Sequence, residues 1–256
     1  MLSLYLLISA FPAVSCDVTK AKKLLSSFEW QTEDYPPYNY INANGELEGI
    51  FTDILLAVFQ KLNLEINKNQ IELVPWARLY NNLKTKNRYA AFSMTYTDER
   101  AKEFRIITTP LSTKISVMVL AQNYEQLKAL PLADLVLGVV REDIGHHLVN
   151  RSKLPSTLVP TTSASSMLKM LISGRVNAIA YAEEVAQFQL ENLLLNDKKI
   201  VPLRVLENDA SHGFVFHKNT PDCVVQLFHS TIIELDKNEE LVRIRDRYID
   251  QSADDK

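Results

Sequence analysis

The sequence predicts an α/β protein of two lobes, each built from a mainly parallel sheet with flanking helices. Short apolar runs, such as residues 90–96 and 177–182, alternate with amphipathic helical segments, which is the pattern of parallel sheets. Two β-rich segments, at 115–121 and 202–206, mark where the chain crosses into a second unit and returns. Hydrophobic residues make up 46% of the 256 residues, which is enough for sizeable cores.

The first unit shows its elements through periodicity and capping residues. Apolar residues at helical spacing follow Thr52 or Asp53, either of which can cap that helix. The other predicted elements are a strand end at 28–30, an aromatic loop at 35–40, a turn at 42–45, a strand at 71–76, a helix at 77–87, a strand at 90–96 and a helix capped by Thr97.

The second unit repeats the pattern before the chain returns. Its predicted elements are helices near 123–130, 144–151, 163–173 and 183–195, with strands at 135–140 and 177–182. After the return come a strand at 212–218, a helix capped by Thr220 with Pro221 at its first position, and a last helix at 239–249. The predicted lobes are 24–112 plus 206–250, and 113–205, with a tail at 251–256.

The first sixteen residues form an apolar, uncharged segment that is too short to span a membrane permanently. They fit the apolar part of an export signal with small residues before a cut near Cys16, although no Lys or Arg precedes the run. A buried N-terminal strand or helix is the alternative. Cys16 is also a candidate lipid-carrying residue, and it can instead pair with Cys223 in an oxidising compartment.

The composition and motifs argue against several classes of protein. The net charge of −3 and the lack of a basic run disfavour nucleic-acid binding. The five histidines and two cysteines do not follow a metal-ligand spacing, and no cofactor motif is present. No nucleophile elbow, P-loop or HExxH helix occurs, which favours a binding protein over an enzyme.

One junction stands out as a candidate anion site. The stretch MTYTDERAKEF runs from a strand into a helix start and brings together Thr95, Thr97 and Arg100. A helix N-terminus with hydroxyls and a guanidinium can hold one anion. The alternative is an ordinary surface helix capped by Thr97 with a solvated Arg100.

The ordered motifs resemble the bacterial extracellular solute-binding proteins of family 3, which serve polar amino-acid ABC transporters. The resemblance runs from about Phe28 to Ile249. Its segments are YPPYNYINANGELEGIFTDILLAVFQKLNL, MTYTDERAKEFRIITTPL, LGVVREDIGHHL, MLKMLISGRVNAIAY and HGFVFHKNTP, and all six glycines fall inside them. The resemblance implies the periplasmic-binding-protein-like II fold, with a two-crossing hinge and a ligand cleft between the lobes.

The resemblance also implies a set of ligand contacts. Arg100 takes the position of the arginine that grips the ligand carboxylate, with Thr95 beside it. The other candidates are Tyr35 and Trp76 from the first lobe, and Arg141, His146 and Tyr181 from the second. Solvated side chains are the alternative for Arg141 and His146, and core packing is the alternative for Trp76.

One position departs from the family pattern. The family usually places an aspartate for the ligand ammonium where this chain has Ala182. Glu183 is adjacent and is a candidate replacement, or it simply starts a helix, where acidic residues are common. An unpaired ammonium in a closed cleft is costly. If Glu183 does not replace the aspartate, the ligand is therefore an organic acid or a modified amino compound.

The expected function is capture of a small carboxylate-bearing solute by a periplasmic, monomeric protein that works with an inner-membrane ABC permease. The lobes would close around the solute in a hinge motion. Two alternatives remain. One is an enzyme on the same scaffold, similar to cyclohexadienyl dehydratase, with Glu142, Glu183 or His146 moving a proton. The other is a sensory or orphan receptor without a transporter.

Overall fold

The computed structural model describes residues 17–152, 157–193 and 198–249. The predicted export signal at 1–16 and the predicted tail at 251–256 lie outside these ranges. Cys16 lies there as well, so its lipid attachment and its pairing with Cys223 stay predictions.

The main sheet has eight strands. In spatial order they are β4 (Glu72–Leu73), β1 (Glu29–Thr32), β5 (Tyr89–Thr95), β10 (Ile200–His217), β6 (Phe104–Leu120), β9 (Ala178–Ala182), β7 (Val136–Val140) and β8 (Thr157–Thr161). A separate hairpin pairs β2 (Tyr40–Ile41) with β3 (Leu47–Glu48). The strand order differs from the chain order because helices connect the parallel strands.

Helices flank the sheet along its length. They are α1 (Val18–Leu25), α2 (Ile50–Lys61), α3 (Trp76–Thr85), α4 (Asp98–Glu103), α5 (Tyr124–Leu127), α6 (Ile144–Arg151), α7 (Ala164–Ile172), α8 (Glu183–Asn192), α9 (Asp222–Lys237) and α10 (Glu240–Ile249). None of the helices within the described ranges combines the length and apolar character that a membrane crossing needs.

Parallel pairing occurs in two separate groups of strands. β1 is parallel to both β4 and β5, and β7 is parallel to both β8 and β9. We call these the first and second parallel groups. They are the centres of the two lobes that the sequence predicts. The alternation of strand and helix therefore predicted the α/β class correctly.

Two long antiparallel strands join the two groups. β6 has 17 residues and β10 has 18. Near its start, β6 pairs with the end of β10, which also pairs with β5. Near its end, β6 pairs with the start of β10 and with β9. The pairing of β10 with β6 shifts register at several points between Pro202 and Gly213. The two predicted sheets therefore form one hydrogen-bonded sheet with irregular pairing at the crossing.

An aromatic core lies behind the first parallel group. Trp30 of β1 is 3% exposed. Five phenylalanine rings have centroids 5.5–6.4 Å from its ring, namely Phe59, Phe92, Phe214, Phe216 and Phe228. Each large apolar side chain buried in this way contributes about 1.5–3 kcal/mol. This packing fixes β1, β5 and β10 as a rigid support for the loops at their ends.

Two predicted helix starts differ from the structure. The helix predicted to be capped by Thr52 or Asp53 begins at Ile50, and its capping residue is Gly49, with φ of 124°. A Cβ at Gly49 would lie 2.5 Å from the Tyr38 carbonyl oxygen, so the close approach requires glycine. The helix predicted to be capped by Thr220 begins at Asp222, with Pro221 in the capping position. The first helix therefore starts three or four residues earlier than predicted, and the second starts one residue later, which is within the usual uncertainty of a helix end.

Candidate functional site

Arg100 is buried between the two halves of the molecule. Thr97 caps α4 as predicted, by accepting a hydrogen bond from the Arg100 main-chain N–H at 3.1 Å. Nη1 of the guanidinium donates to the Thr95 carbonyl at 2.9 Å, and Nη2 donates to the Glu142 carbonyl at 3.0 Å. Only 2% of Arg100 is exposed. The alternative of a solvated Arg100 is therefore wrong, and ligand contact by Arg100 stays a prediction.

Trp76 lies beside Arg100 and contacts the same carbonyl. Its Nε1 donates to the Glu142 oxygen at 2.7 Å, and the Arg100 guanidinium carbon is 5.0 Å from the centroid of its ring. A guanidinium over an aromatic ring is attracted by the ring quadrupole. Trp76 therefore lies at the cleft, although it also packs in a buried cluster with Leu79 and Met94.

Glu142 turns the chain between β7 and α6. Its φ is 63°, in the left-handed region that non-glycine residues seldom adopt. This turn directs its carbonyl towards both Trp76 and Arg100. The second half of the molecule thus offers one main-chain acceptor to two donors from the first half.

Three tyrosines and a histidine line the same region. Tyr35, from the loop after β1, meets Tyr181 of β9 edge to face at 5.7 Å between ring centroids. Tyr38 stacks on Tyr35 at 5.7 Å, and the His212 ring lies 5.8 Å from Tyr35. Tyr35 and Tyr181 are 2% and 1% exposed. The predicted aromatic contacts from the two lobes therefore meet each other.

His212 of β10 is a cleft residue that the sequence analysis did not select. Its Nδ1 lies 3.4 Å from the Thr95 hydroxyl oxygen, and the ring is fully buried. Burial lowers the pKa of His212 to about 4, so the ring is neutral at neutral pH. Its only sequence signal was its place at the start of the HGFVFHK strand.

Two further carboxylates belong to the cleft and were not among the predicted contacts. Burial raises the pKa of Glu33 well above its usual range, and the nearby charge of Asp143 raises it further. Burial likewise raises the pKa of Asp143, while Arg100 acts in the opposite direction. Arg100, Glu33 and Asp143 thus form one interacting group of charges, which we call the charge cluster.

Among the described residues, the other predicted contacts make no hydrogen bond to Arg100. The Glu183 carboxylate accepts a hydrogen bond from Ser116 at 2.5 Å and faces a groove near the crossing strands. Arg141 is exposed. His146 is partly buried, and its Nδ1 lies 3.3 Å from the Glu142 main-chain nitrogen. Ligand contact by these three side chains stays a prediction.

Additional contacts hold the two halves together. The Tyr38 hydroxyl donates to the Glu184 carboxylate at the start of α8. Gln189, further along α8, donates to the Asp34 carbonyl at 3.3 Å. With Arg100 and Trp76 on the Glu142 carbonyl, these bonds describe a closed arrangement of the cleft.

Buried polar atoms without partners surround the closed cleft. Within the described part of the chain, no hydrogen-bond partner is present for Thr32 Oγ1, the Tyr35 hydroxyl, Arg100 Nε or His212 Nε2. Leaving a buried polar group unpaired costs about 1–3 kcal/mol, so such groups need a reason. Arg100, Tyr35 and His212 all line the cleft, so these unpaired groups suit a polar molecule there.

A cavity leads towards Arg100 from the surface between α4 and α6. Its volume is about 190 Å³. It is lined by Tyr80, Thr97, Glu99, Arg100, Ile144, His147, Leu148 and Arg151. No group of three or more His, Cys, Asp or Glu side chains is placed to hold a metal ion in the ranges that the structure describes.

The fold and cleft define a two-lobed binding protein, and comparison with known families agrees. A sequence profile of the bacterial extracellular solute-binding proteins, family 3, matches residues 31–251. The chain belongs to this family. A search of curated proteins found no match.

Solved structures share the fold at low sequence identity. The arginine-bound amino-acid ABC transporter substrate-binding protein AbpA from Streptococcus pneumoniae is 21% identical, with a TM-score of 0.75 over 90% of this chain and 97% of that one. A histidine kinase sensor domain similar to periplasmic binding proteins is 18% identical, with a TM-score of 0.71 over 87% and 96%. The ancestral amino-acid-binding protein AncCDT-1, a precursor of cyclohexadienyl dehydratase, is 17% identical, with a TM-score of 0.71 over 90% and 98%.

Proposed function

We propose that this protein captures a small amino acid or related carboxylate-bearing solute in the cleft and delivers it to an ABC-type permease from the periplasm. The observation that carries this proposal is the burial of Arg100 between the halves, where its Nε has no hydrogen-bond partner among the described residues. A buried guanidinium is the group that best holds a carboxylate. The family membership and the amino-acid-binding neighbours support the same class of solute.

In this proposal, Arg100 and Thr95 hold the carboxylate, and the Tyr35 and Tyr181 rings enclose the rest of the solute. Trp76 supports the guanidinium from one face. The two lobes, approximately 24–112 plus 206–250 and 113–205, close by a hinge at the crossing strands. Closure excludes water, which strengthens the ion pair between Arg100 and the solute.

The test is a thermal-shift screen of purified protein against amino acids, organic acids and amines. The variants are Arg100→Gln and, as a matched control, Arg78→Gln, since Arg78 is largely exposed on α3 of the same lobe. A solute at a hundredfold excess over its Kd adds about 2.7 kcal/mol of stability. We expect a carboxylate to stabilise the parent and Arg78→Gln but not Arg100→Gln. Equal stabilisation of all three proteins would exclude Arg100 as the anchor.

A catalytic function on the same scaffold is the second candidate. The raised pKa values of the Glu33 and Asp143 carboxyl groups are a property that general acids share. One of the similar solved structures is that of an ancestral amino-acid-binding protein that is a precursor of cyclohexadienyl dehydratase. Incubation with prephenate-like carboxylated rings tests this function, because product formation above the uncatalysed rate would favour it over solute capture.

A further inference from the structure

The loop that carries Tyr35 is held in one shape by its own main chain and by Asn39. The Tyr35 main-chain N–H donates to the Asn39 carbonyl at 2.7 Å, and the Asn39 N–H donates back to the Tyr35 carbonyl at 3.1 Å. The Asn39 side chain adds a third bond, because its Nδ2 donates to the Glu33 carbonyl at 2.6 Å. Asn39 is fully buried, so these bonds are shielded from water. Residues 33–39 therefore form a closed unit, which we call the Tyr35 loop.

The orientation of the Asn39 amide determines what its oxygen binds. A main-chain carbonyl only accepts hydrogen bonds, so the amide nitrogen faces the Glu33 carbonyl and leaves Oδ1 free to accept a bond. The hydroxyl of Ser93, which is also buried, donates to this Oδ1. The same hydroxyl oxygen lies 2.7 Å from the Phe92 carbonyl, so two acceptors share its proton. Ser93 therefore ties the Tyr35 loop to β5.

Ser93 has a backbone conformation that serine seldom adopts. Its φ is 59°, in the left-handed region, which is unfavourable for residues with a Cβ and easy for glycine. The pairing of β5 with β10 is irregular at the same place, because its register shifts between Gly213 and Val215. Strained residues persist where their surroundings fix them, and they occur most often at functional sites. The hydroxyl, which glycine lacks, is the feature that accounts for a serine here.

The Tyr35 loop reaches the cleft through the Tyr35 ring. The ring is buried against Tyr181 from the other half of the molecule and against His212. In the proposed function this ring encloses the solute, so its position decides how well the solute fits. A loop that is held in its bound shape beforehand loses less conformational entropy when the solute binds. An anchor of the Tyr35 loop therefore contributes to affinity.

We propose that Ser93 and Asn39 are positioning residues for the solute, because the hydrogen bond between their side chains holds the Tyr35 ring in place. This proposal rests on the proposed function, in which Arg100 holds a carboxylate and Tyr35 encloses the rest of the solute. Ser93 lies two residues before Thr95 on β5, so one strand end carries both a carboxylate contact and the anchor of the enclosing ring. The Ser93 hydroxyl then raises the affinity, while the Ser93 backbone lowers the stability of the fold.

Two substitutions separate the hydroxyl of Ser93 from its backbone conformation. Ser93→Ala removes the hydroxyl and keeps the Cβ, whereas Ser93→Gly removes the hydroxyl and also relieves the strain. The matched controls are Asn63→Ala and Asn63→Gly, because Asn63 is exposed after α2 and has φ of 52°. Ser93→Gly covers the case in which Ser93→Ala does not fold.

Three measurements are made on each purified protein. Hydrogen exchange of the Tyr35 and Asn39 main-chain amides, without solute, reports how firmly the Tyr35 loop is held. Calorimetric titration with L-arginine, L-glutamine and glutarate reports the affinity for carboxylates. Urea unfolding reports the stability.

We expect both Ser93 variants to exchange the two loop amides faster than the parent does. Both should bind the tightest of the three probes about fivefold more weakly, because each has lost the same buried hydrogen bond. The urea midpoint should be higher for Ser93→Gly than for Ser93→Ala, so that affinity follows the hydroxyl and stability follows φ. Both Asn63 variants should keep the loop exchange and the affinity of the parent.

Unchanged loop exchange and unchanged affinity in Ser93→Gly would overturn this proposal. Solute capture would stay intact in that case if Arg100→Gln still abolishes binding. Weaker binding in Ser93→Ala alone would also overturn the proposal, since the backbone and not the hydroxyl would then be responsible. Failure of every probe with the parent would overturn both proposals.

Discussion

The guanidinium of Arg100 donates a hydrogen bond to the main-chain carbonyl of Glu142 at 3.0 Å, across the boundary between the two halves of the sheet. The residue proposed to hold the solute is therefore also a contact of the closed arrangement. Solute binding and closure share one side chain, so substitutions on either side of this bond should change both. Four predictions follow from the contacts around it.

Replacing Trp76 with phenylalanine should weaken solute binding without unfolding the protein. Phenylalanine keeps the ring beside Arg100 but removes the Nε1–H bond to the Glu142 carbonyl, which measures 2.7 Å. A hydrogen bond of this kind contributes about 1 kcal/mol, so we expect a loss of about fivefold in affinity by calorimetry. Tyr40→Phe is the control, because it also removes one donor from an aromatic side chain, the hydroxyl that bonds to Glu48 in the β2–β3 hairpin, and it should leave the affinity unchanged. Equal affinity of Trp76→Phe and the parent would show that this bond does not support closure.

Replacing Glu142 with glycine should not destabilise the protein, whereas Glu142→Val should. The φ of 63° is costly for residues with a Cβ, by about 1–2 kcal/mol, and most costly for β-branched ones. Urea unfolding of the two variants measures the difference in the free energy of unfolding. If valine is tolerated as well as glycine, the left-handed turn does not exist in solution.

Lowering the pH should destabilise the protein through His212. The pKa of His212 is about 4 in the folded protein and about 6.5 in the unfolded chain, so the unfolded chain binds more protons between these values. Stability from the neutral ring is complete above pH 6.5 and is lost as the pH falls towards 4. Between pH 7.5 and pH 5 this loss is about 2 kcal/mol.

Glu33 and Asp143 act in the opposite direction, because their raised pKa values favour the folded state at low pH. The parent alone therefore does not isolate the effect of His212. The effect of His212 is isolated by comparing how the free energy of unfolding changes with pH in the parent and in His212→Gln, because both proteins have the same carboxylates. We expect the variant to lose about 2 kcal/mol less than the parent over the same range, and an identical pH dependence would contradict the burial of a neutral ring.

Replacing Gly145 with alanine should disturb the loop that carries Glu142 and Asp143. A Cβ at Gly145 would lie 2.1 Å from the Ala180 carbonyl oxygen, so α6 must move away from β9. Overpacking of this kind costs about 1–3 kcal/mol, and we expect weaker solute binding as well. Gly174→Ala is the control. It has φ of 70° but no atom within 4 Å of its Cβ, so it should lower stability and leave the affinity unchanged.

The sequence predicted the parts of the fold and site that local patterns determine. Thr97 as a helix cap and Arg100 in the first turn follow from one short segment, and the structure places both as the capping pattern requires. The strand-helix alternation predicted the parallel groups for the same reason. The loop with Tyr35 was recognisable because its proline and aromatic residues are adjacent in the chain.

The parts that sequence analysis missed depend on contacts between distant segments. Asp143 was visible only as a residue of the loop before α6, and its proximity to the charge of Arg100 comes from closure of the two halves. Glu33 precedes Tyr35 by two residues, but an acidic residue in a loop is usually solvated. Glu183 stays a candidate, and the sequence does not show that its carboxylate accepts a hydrogen bond from Ser116 of the neighbouring strand β6.

The central claim is that a solute carboxylate binds Arg100 inside the closed cleft. The most direct test is a crystal structure of the protein with the solute that stabilises it most in the thermal-shift screen. We predict the carboxylate within hydrogen-bonding distance of Arg100 and Thr95, with the rest of the solute enclosed by Tyr35 and Tyr181. A solute bound in the cleft without contact to Arg100, or bound elsewhere on the protein, would contradict this account.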